Sequence, residues 1–284
     1  MAPDCWTEWL LRRRFAGDPD VERRVLEDLR PVRDRVLDGA RLAPGEALLD
    51  VGCGDGLIAF GAIERGAGQV VFSDISDDLL EECRRIATEA GVLDRCAFLH
   101  AGADRLDGVG DGSVDVVTTR SVLIYVARKR EAFEEFHRVL RPGGRVSLFE
   151  PINRLNRFLR AHEATAVQEL DDRVKGVFDR LQPRDEDPML DFDDRDLVEL
   201  AERAGFERVS LTLEMTTEPP APAAWNEFVD TAWNPRIPTM REVMDEVLSP
   251  AERETYEAHM RPQVEQGVGS RRMAVAYLVA VKGG

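Results

Sequence analysis

Leu48-Leu49-Asp50-Val51-Gly52-Cys53-Gly54-Asp55-Gly56 is an apolar run carrying one acid that breaks into a glycine at every second position. The leucines and Val51 supply a short buried strand. Gly52, Gly54 and Gly56 let the backbone turn sharply and approach a bound molecule with no Cβ in the way. Leu57-Ile58-Ala59-Phe60-Gly61-Ala62 follows with few breakers and reads as the start of a helix. The first N–H groups of such a helix have no intrahelical acceptor and point back at the turn. A strand, a glycine turn and a helix in this order suggest a nucleotide-like ligand.

The chain around this stretch repeats the alternation. Residues 5–40 read as two helices, the second capped by Asp18 or Asp20, and Pro44-Gly45 turns the chain into the first strand at Ala47. A second strand runs from Gln69 to Phe72 and ends at Ser73-Asp74, and a helix covers Asp77 to Ala90 before Gly91. A third strand lies near Ala97 to His100, a fourth at Ser113 to Thr119, then a helix from Arg128 to Leu140. Arg141-Pro142-Gly143-Gly144 stops that helix, and Arg145 to Phe149 is a fifth strand. Such alternation predicts an α/β fold with a doubly wound, mainly parallel sheet, whose ligands bind outside the carboxyl ends of the strands.

Beyond residue 150 the alternation stops. Residues 151–192 read as a charged, mostly helical insertion, followed by a helix from Asp194 to Ala204 that Gly205 ends. A sixth strand, Glu207 to Leu213, precedes a proline-rich second insertion at about 215–270, with helices around Met240–Val247 and Pro250–His259. A last strand runs from Arg272 to Val281. The expected division is N-terminal cap helices in 1–44, a cofactor-binding core in 45–150, a lid insertion in 151–192, and the end of the core with the second insertion in 193–284. An oligomer interface is the other use such insertions have.

The ligand can be narrowed by residue type. No Gly-Lys-Ser/Thr follows the glycines, so this is not a triphosphate loop. The spacing is G-x-G-x-G, whereas dinucleotide-binding turns read G-x-G-x-x-G. Asp50 would stand close to a dinucleotide's pyrophosphate, and a carboxylate there suits a ligand with cationic groups better. Asp74 ends the second strand, where a carboxylate can accept hydrogen bonds from both hydroxyls of a ribose. That role is shared by NAD and S-adenosylmethionine, and a helix cap or turn is the plain alternative.

The glycine loop closely resembles the first motif of class I S-adenosylmethionine-dependent methyltransferases. Ala103-Asp104 after the third strand is similar to the family's adenine-contacting segment. Leu140-Arg141-Pro142-Gly143-Gly144 is similar to the helix stop and turn before the fifth strand in its small-molecule members. The resemblance implies a seven-stranded sheet with an antiparallel last strand, and S-adenosylmethionine as cofactor. It implies cofactor contacts at Asp50, Gly52, Cys53, Gly54, Asp74, Ile75, Ala103, Asp104, Arg120 and Ser121, the last two at the methionine end. Candidate catalytic residues are Glu150, which could orient or deprotonate an amine, and Tyr125, which could hydrogen-bond an acceptor or anchor the following helix.

Composition limits the acceptor. With 38 basic against 54 acidic residues the net charge is −16, which repels phosphate backbones and anionic lipid. A small-molecule or modified-peptide substrate is therefore expected, with no nucleic acid and no membrane as partner; the sequence leaves the oligomeric state undecided. Cys5, Cys53, Cys83 and Cys96 include no C-x-x-C pair, and the histidines have no metal spacing, so neither a disulfide framework nor a metal site is expected. The set also fits arsenic methylation badly, and Arg120-Ser121-Val122-Leu123 replaces the Asn/Asp-Pro-Pro-aromatic motif of DNA amino-methyltransferases. The start carries Asp4, Glu8 and arginines, not a secretory apolar core, and no apolar run reaches the roughly 18 residues of a membrane span, so a cytoplasmic location is expected. The leading reading is methyl transfer to N or O in metabolite or natural-product tailoring. A non-catalytic S-adenosylmethionine-binding protein and a nicotinamide-dependent dehydrogenase are the alternatives.

Overall fold

The computed structural model describes residues 4–156 and 161–284. The chain divides into two compact units. One is built from Leu26–Ile152, Phe192–Glu214 and Val275–Gly284; the other from the stretch up to Val25, Asn153–Asp191 and Met215–Ala274.

The first unit holds a seven-stranded sheet in the order β3-β2-β1-β4-β5-β7-β6. Its strands are β1 (Leu48–Val51), β2 (Val70–Asp74), β3 (Cys96–His100), β4 (Val114–Arg120), β5 (Leu140–Pro151), β6 (Phe206–Glu218) and β7 (Arg271–Lys282). β1 through β5 pair in parallel, and β7 runs antiparallel to β5, as the resemblance implied. All four β1 residues are buried. That is what a strand covered on both faces requires, and it explains the apolar Leu-Leu-x-Val reading without alternation.

The helices before and between these strands are α1 (Cys5–Leu11), α2 (Pro19–Ala40), α3 (Leu57–Glu64), α4 (Asp77–Glu89) and α5 (Lys129–Val139). Of the two candidate caps, Asp18 begins α2: its carboxylate accepts from Asp20 N–H at 2.8 Å. α2, α3 and α4 cover one sheet face, where Val36, Leu37, Ala59, Ala62, Phe72 and Leu80 form the core. Burying a side chain such as Leu37 or Phe72 contributes about 1.5–3 kcal/mol. α4 presents Leu79, Leu80, Cys83 and Ala87 to the interior, the three-and-four spacing of an amphipathic helix.

Pro142-Gly143-Gly144 does more than stop a helix. It lies inside β5, which begins at Leu140, and the β4–β5 register shifts between Val114 and Val116 to accommodate it. Gly143 takes φ +78°, and a Cβ on Gly144 would stand 2.9 Å from Arg141 O and 3.0 Å from Asp115 O. The turn is therefore a bulge that carries the chain directly from helix into sheet. The remaining helices are α6 (Gln168–Leu181), α7 (Asp194–Arg203), α8 (Trp225–Asp230), α9 (Met240–Val247) and α10 (Pro250–Gln266). α10 runs further than its sequence suggests, through Pro262, and α8 has no counterpart in the sequence reading.

The second unit has its own core, with Val174, Phe178, Trp225, Met244, Tyr256 and Met260 buried together. Inside it the Lys175 ammonium pairs with Asp171, whose other oxygen accepts from Tyr256 O–H at 3.0 Å. Trp9 donates its indole N–H to Ala232 O at 2.6 Å, so this tryptophan serves packing within the unit.

Candidate functional site

Parallel strands place their carboxyl ends side by side, and the sequence-nominated residues fall at those of β1, β2, β4 and β5, with Ala103 and Asp104 just past β3. After Val51 the chain turns through Gly52 (φ +64°), Gly54 (φ +55°) and Gly56 (φ +80°), the last capping α3. These left-handed values are what glycine supplies at least cost. Gly52 is also constrained sterically: a Cβ there would lie 2.4 Å from Val122 Cγ2. The segment after β4 is thus seated directly on the glycine loop.

Gly54 is held at both its polar groups. Its N–H donates to Asp74 Oδ2 at 2.9 Å, and its carbonyl lies 3.3 Å from Cys83 Sγ and 3.9 Å from Cys53 Sγ. The hydrogen bond to Cys83, together with burial, pushes the Cys53 thiol well above its ordinary value. Cys53 is therefore a neutral packing residue, consistent with a buried thiol being inert. Asp74, buried at the end of β2, also accepts from Ser76 N–H at 3.0 Å, while its neighbour Ile75 is 46% exposed. A carboxylate beside an exposed apolar side chain suits a ribose next to a flat base.

Asp50 lies beneath the loop. Oδ1 accepts from Thr118 Oγ1 at 2.8 Å and Oδ2 from Ala59 N–H at 3.2 Å, so both oxygens tie β1 to β4 and α3. Burial pushes its pKa up to about 7, against the pull of these bonds and of the Arg120 charge. The structure thus turns Asp50 toward protein groups, where the sequence suggested a carboxylate facing a cationic ligand. Arg120, at the end of β4, is half-buried and near enough for its charge to act on Asp50.

Past β3, Gly102 to Arg105 form a tight turn in which Ala103 is buried. Asp104 pairs with Arg128 Nε at 2.8 Å, so any adenine contact would be shared with that ion pair.

At the end of β4, Ser121 takes φ +57°, a left-handed value on a residue with a side chain. Its N–H donates to Phe149 O at 2.8 Å. A single turn, Leu123–Tyr125, follows, and the half-buried Tyr125 closes it. Glu150 is fully buried. Oε1 accepts from Val122 and Leu123 N–H at 2.9 Å each, and Oε2 from Ile124 N–H at 3.4 Å. Burial pushes its pKa up to about 7, with the three N–H bonds and the Lys129 charge working the other way. Its carboxylate is occupied by backbone, which argues against the direct role on an amine that its residue type suggested.

Sequence reading missed Thr118, Cys83, Val122 and Arg128. Each acts on a nominated residue from a different element, and strand register or helix packing, not local pattern, brings it there. Among the described residues no cluster of His, Cys, Asp or Glu could hold a metal ion.

The sequence profile of the methyltransferase domain family matches residues 49–148, the span of these strand ends. The chain is similar to the ubiquinone/menaquinone biosynthesis C-methyltransferase UbiE of Stutzerimonas stutzeri (strain A1501). They are 34% identical over 182 residues, 61% of this chain and 69% of that protein. It is also similar to the nocamycin O-methyltransferase of Saccharothrix syringae, 36% identical over 141 residues, and spans about half of that protein's length (49%). Among solved structures, a phosphoethanolamine N-methyltransferase 2 of Haemonchus contortus, with S-adenosylhomocysteine bound, superposes with a TM-score of 0.54 at 15% identity. That superposition covers 98% of this chain and 56% of the other, and shows likeness of fold.

Proposed function

Because the chain belongs to the class I S-adenosylmethionine-dependent methyltransferases, we propose that it transfers a methyl group to a nitrogen or oxygen of a small molecule or modified peptide. The observation that carries this reading is the arrangement at the β1 and β2 ends. Gly52 and Gly54 leave backbone free of Cβ atoms, and Asp74 stands beside the exposed Ile75.

The residues present fit that cofactor. Asp74 would accept from its ribose hydroxyls, Ile75 would cover its base, and Asp104 would accept from the adenine amine. Arg120 and Ser121 would border its methionine end, with Arg120 supplying a cation for the carboxylate. S-adenosylmethionine brings a methyl carbon already activated by its sulfonium. The protein's task is then to align the acceptor and exclude water. Tyr125 is the candidate to orient the acceptor. A general base is required only for an acceptor that arrives protonated. The net charge of −16 supports a small acceptor over nucleic acid.

Isothermal titration with S-adenosylhomocysteine and with NAD tests the cofactor, and mass spectrometry of acceptor panels tests transfer. The expected results are S-adenosylhomocysteine binding without NAD binding, and a product heavier by one methylene. Asp74→Ala should weaken binding by about 1–3 kcal/mol, the loss of a charged hydrogen-bond partner. Unchanged affinity would remove the ribose assignment, and binding without product from any acceptor would leave a cofactor-binding protein that transfers nothing.

A further inference from the structure

We propose that Glu150 is a positioning residue for the cofactor site, holding the residue 121–125 turn so that Val122 seats the glycine loop. This rests on the cofactor reading above and adds a residue that touches no ligand.

The N–H groups of Val122, Leu123 and Ile124 begin a turn that has no side-chain cap of its own. Buried without acceptors, such groups cost free energy. Glu150 reaches from the end of β5 and accepts from all three. Immediately before them, Ser121 is held in the left-handed region, which disfavours a residue with a Cβ. It is gripped on both sides, by Phe149 O at its own N–H and by Glu150 at the next. Val122 then meets Gly52 so closely that no Cβ would fit between them. Glu150, the strained Ser121, Val122 and Gly52 therefore form one mechanical path from β5 to the glycine loop. Without the carboxylate, Ser121 is free to leave its left-handed conformation, and Val122 moves off Gly52.

The test combines Glu150→Gln, Glu150→Ala and each of them with Ser121→Gly. Glutamine keeps one acceptor oxygen but offers N–H groups where the second stood; alanine keeps none. At pH 8, where the Glu150 carboxylate is ionised, the expected Kd for S-adenosylhomocysteine rises about tenfold in E150Q and further in E150A, as bonds to a charged acceptor are lost. Glycine adopts the left-handed conformation without strain, so the penalty of E150Q should be several-fold smaller when Ser121→Gly is already in place. Amide exchange at residues 122–124 should quicken in E150Q, while its far-UV circular dichroism stays that of the parent. If E150A does not fold, E150Q measured with and without Ser121→Gly carries the same comparison.

Unchanged affinity in E150Q overturns the proposal. An equal penalty with and without Ser121→Gly overturns it too, because the loss would then bypass the turn. A parent chain that binds no S-adenosylhomocysteine overturns the cofactor reading itself, and this role with it.

Discussion

Asp50 and Glu150 are acids spent on backbone and hydroxyl donors inside the sheet unit, and both hold their protons longer than ordinary carboxylates. Their pKa values rise from 3.8 and 4.5 to about 7 because burial penalises the charged form. The folded chain therefore binds more protons than the unfolded chain across that window. Each group's contribution to stability is complete below its unfolded pKa and is lost as pH rises through about 7, on the order of a few kcal/mol. Urea denaturation of the ligand-free chain at pH 5 and pH 7.5 should show this fall, and Asp50→Asn should flatten it. A D50N chain with the parent's pH slope would show that Asp50 titrates as an ordinary carboxylate. At this scale the place of Asp74 was legible, since Val-Val-Phe-Ser-Asp reads as a strand that ends at its acid. The occupation of Asp50 was not, because Thr118 comes to it only through the β1–β4 register, in which residues 50 and 118 are opposite. The same holds for Glu150: its residue type was visible in the sequence, its three backbone partners were not.

Elements were legible where local chemistry decides them. Asp193 and Asp196 form a capping box at the start of α7, Thr239 and Glu242 one at α9, and Ser249 and Glu252 one at α10. The β5 entrance was only half legible, because helix stop and strand bulge use the same Pro-Gly-Gly residues. Gly144 packs against two carbonyl oxygens, which cannot move aside as a flexible side chain can. Gly144→Ala should therefore lower stability by about 1–3 kcal/mol. The affinity of the folded chain for S-adenosylhomocysteine should stay unchanged, since the bulge lies at the opposite ends of the strands. A denaturant midpoint equal to the parent's would mean that the bulge gives way freely. α8 escaped notice because its six residues follow Pro219-Pro220 and Pro222 and are too short for a helical period to show.

For the whole molecule, the sequence marked where strand–helix alternation ends but not how distant stretches assemble. Local pattern does not show that 153–191 and 215–274 share one core, which depends on contacts across many tens of residues. The Asp171–Lys175 pair with Tyr256 is buried in that core. Asp171→Leu would leave a buried ammonium uncompensated and should cost about 3–5 kcal/mol; adding Lys175→Met should recover most of it. Calorimetry of both variants checks this, and a single substitution without effect would mean that water reaches the pair. Among the described residues no helix is long and apolar enough to cross a membrane. The place of β7 between β5 and β6 has a consequence for biosynthesis. While the ribosome is still making the residues before Arg271, β6 has no neighbour to join and remains an orphan ribbon. The sheet is thus completed from its second-to-last position, only once β7 has been made, and the nascent chain must keep β6 from wrong partners until then.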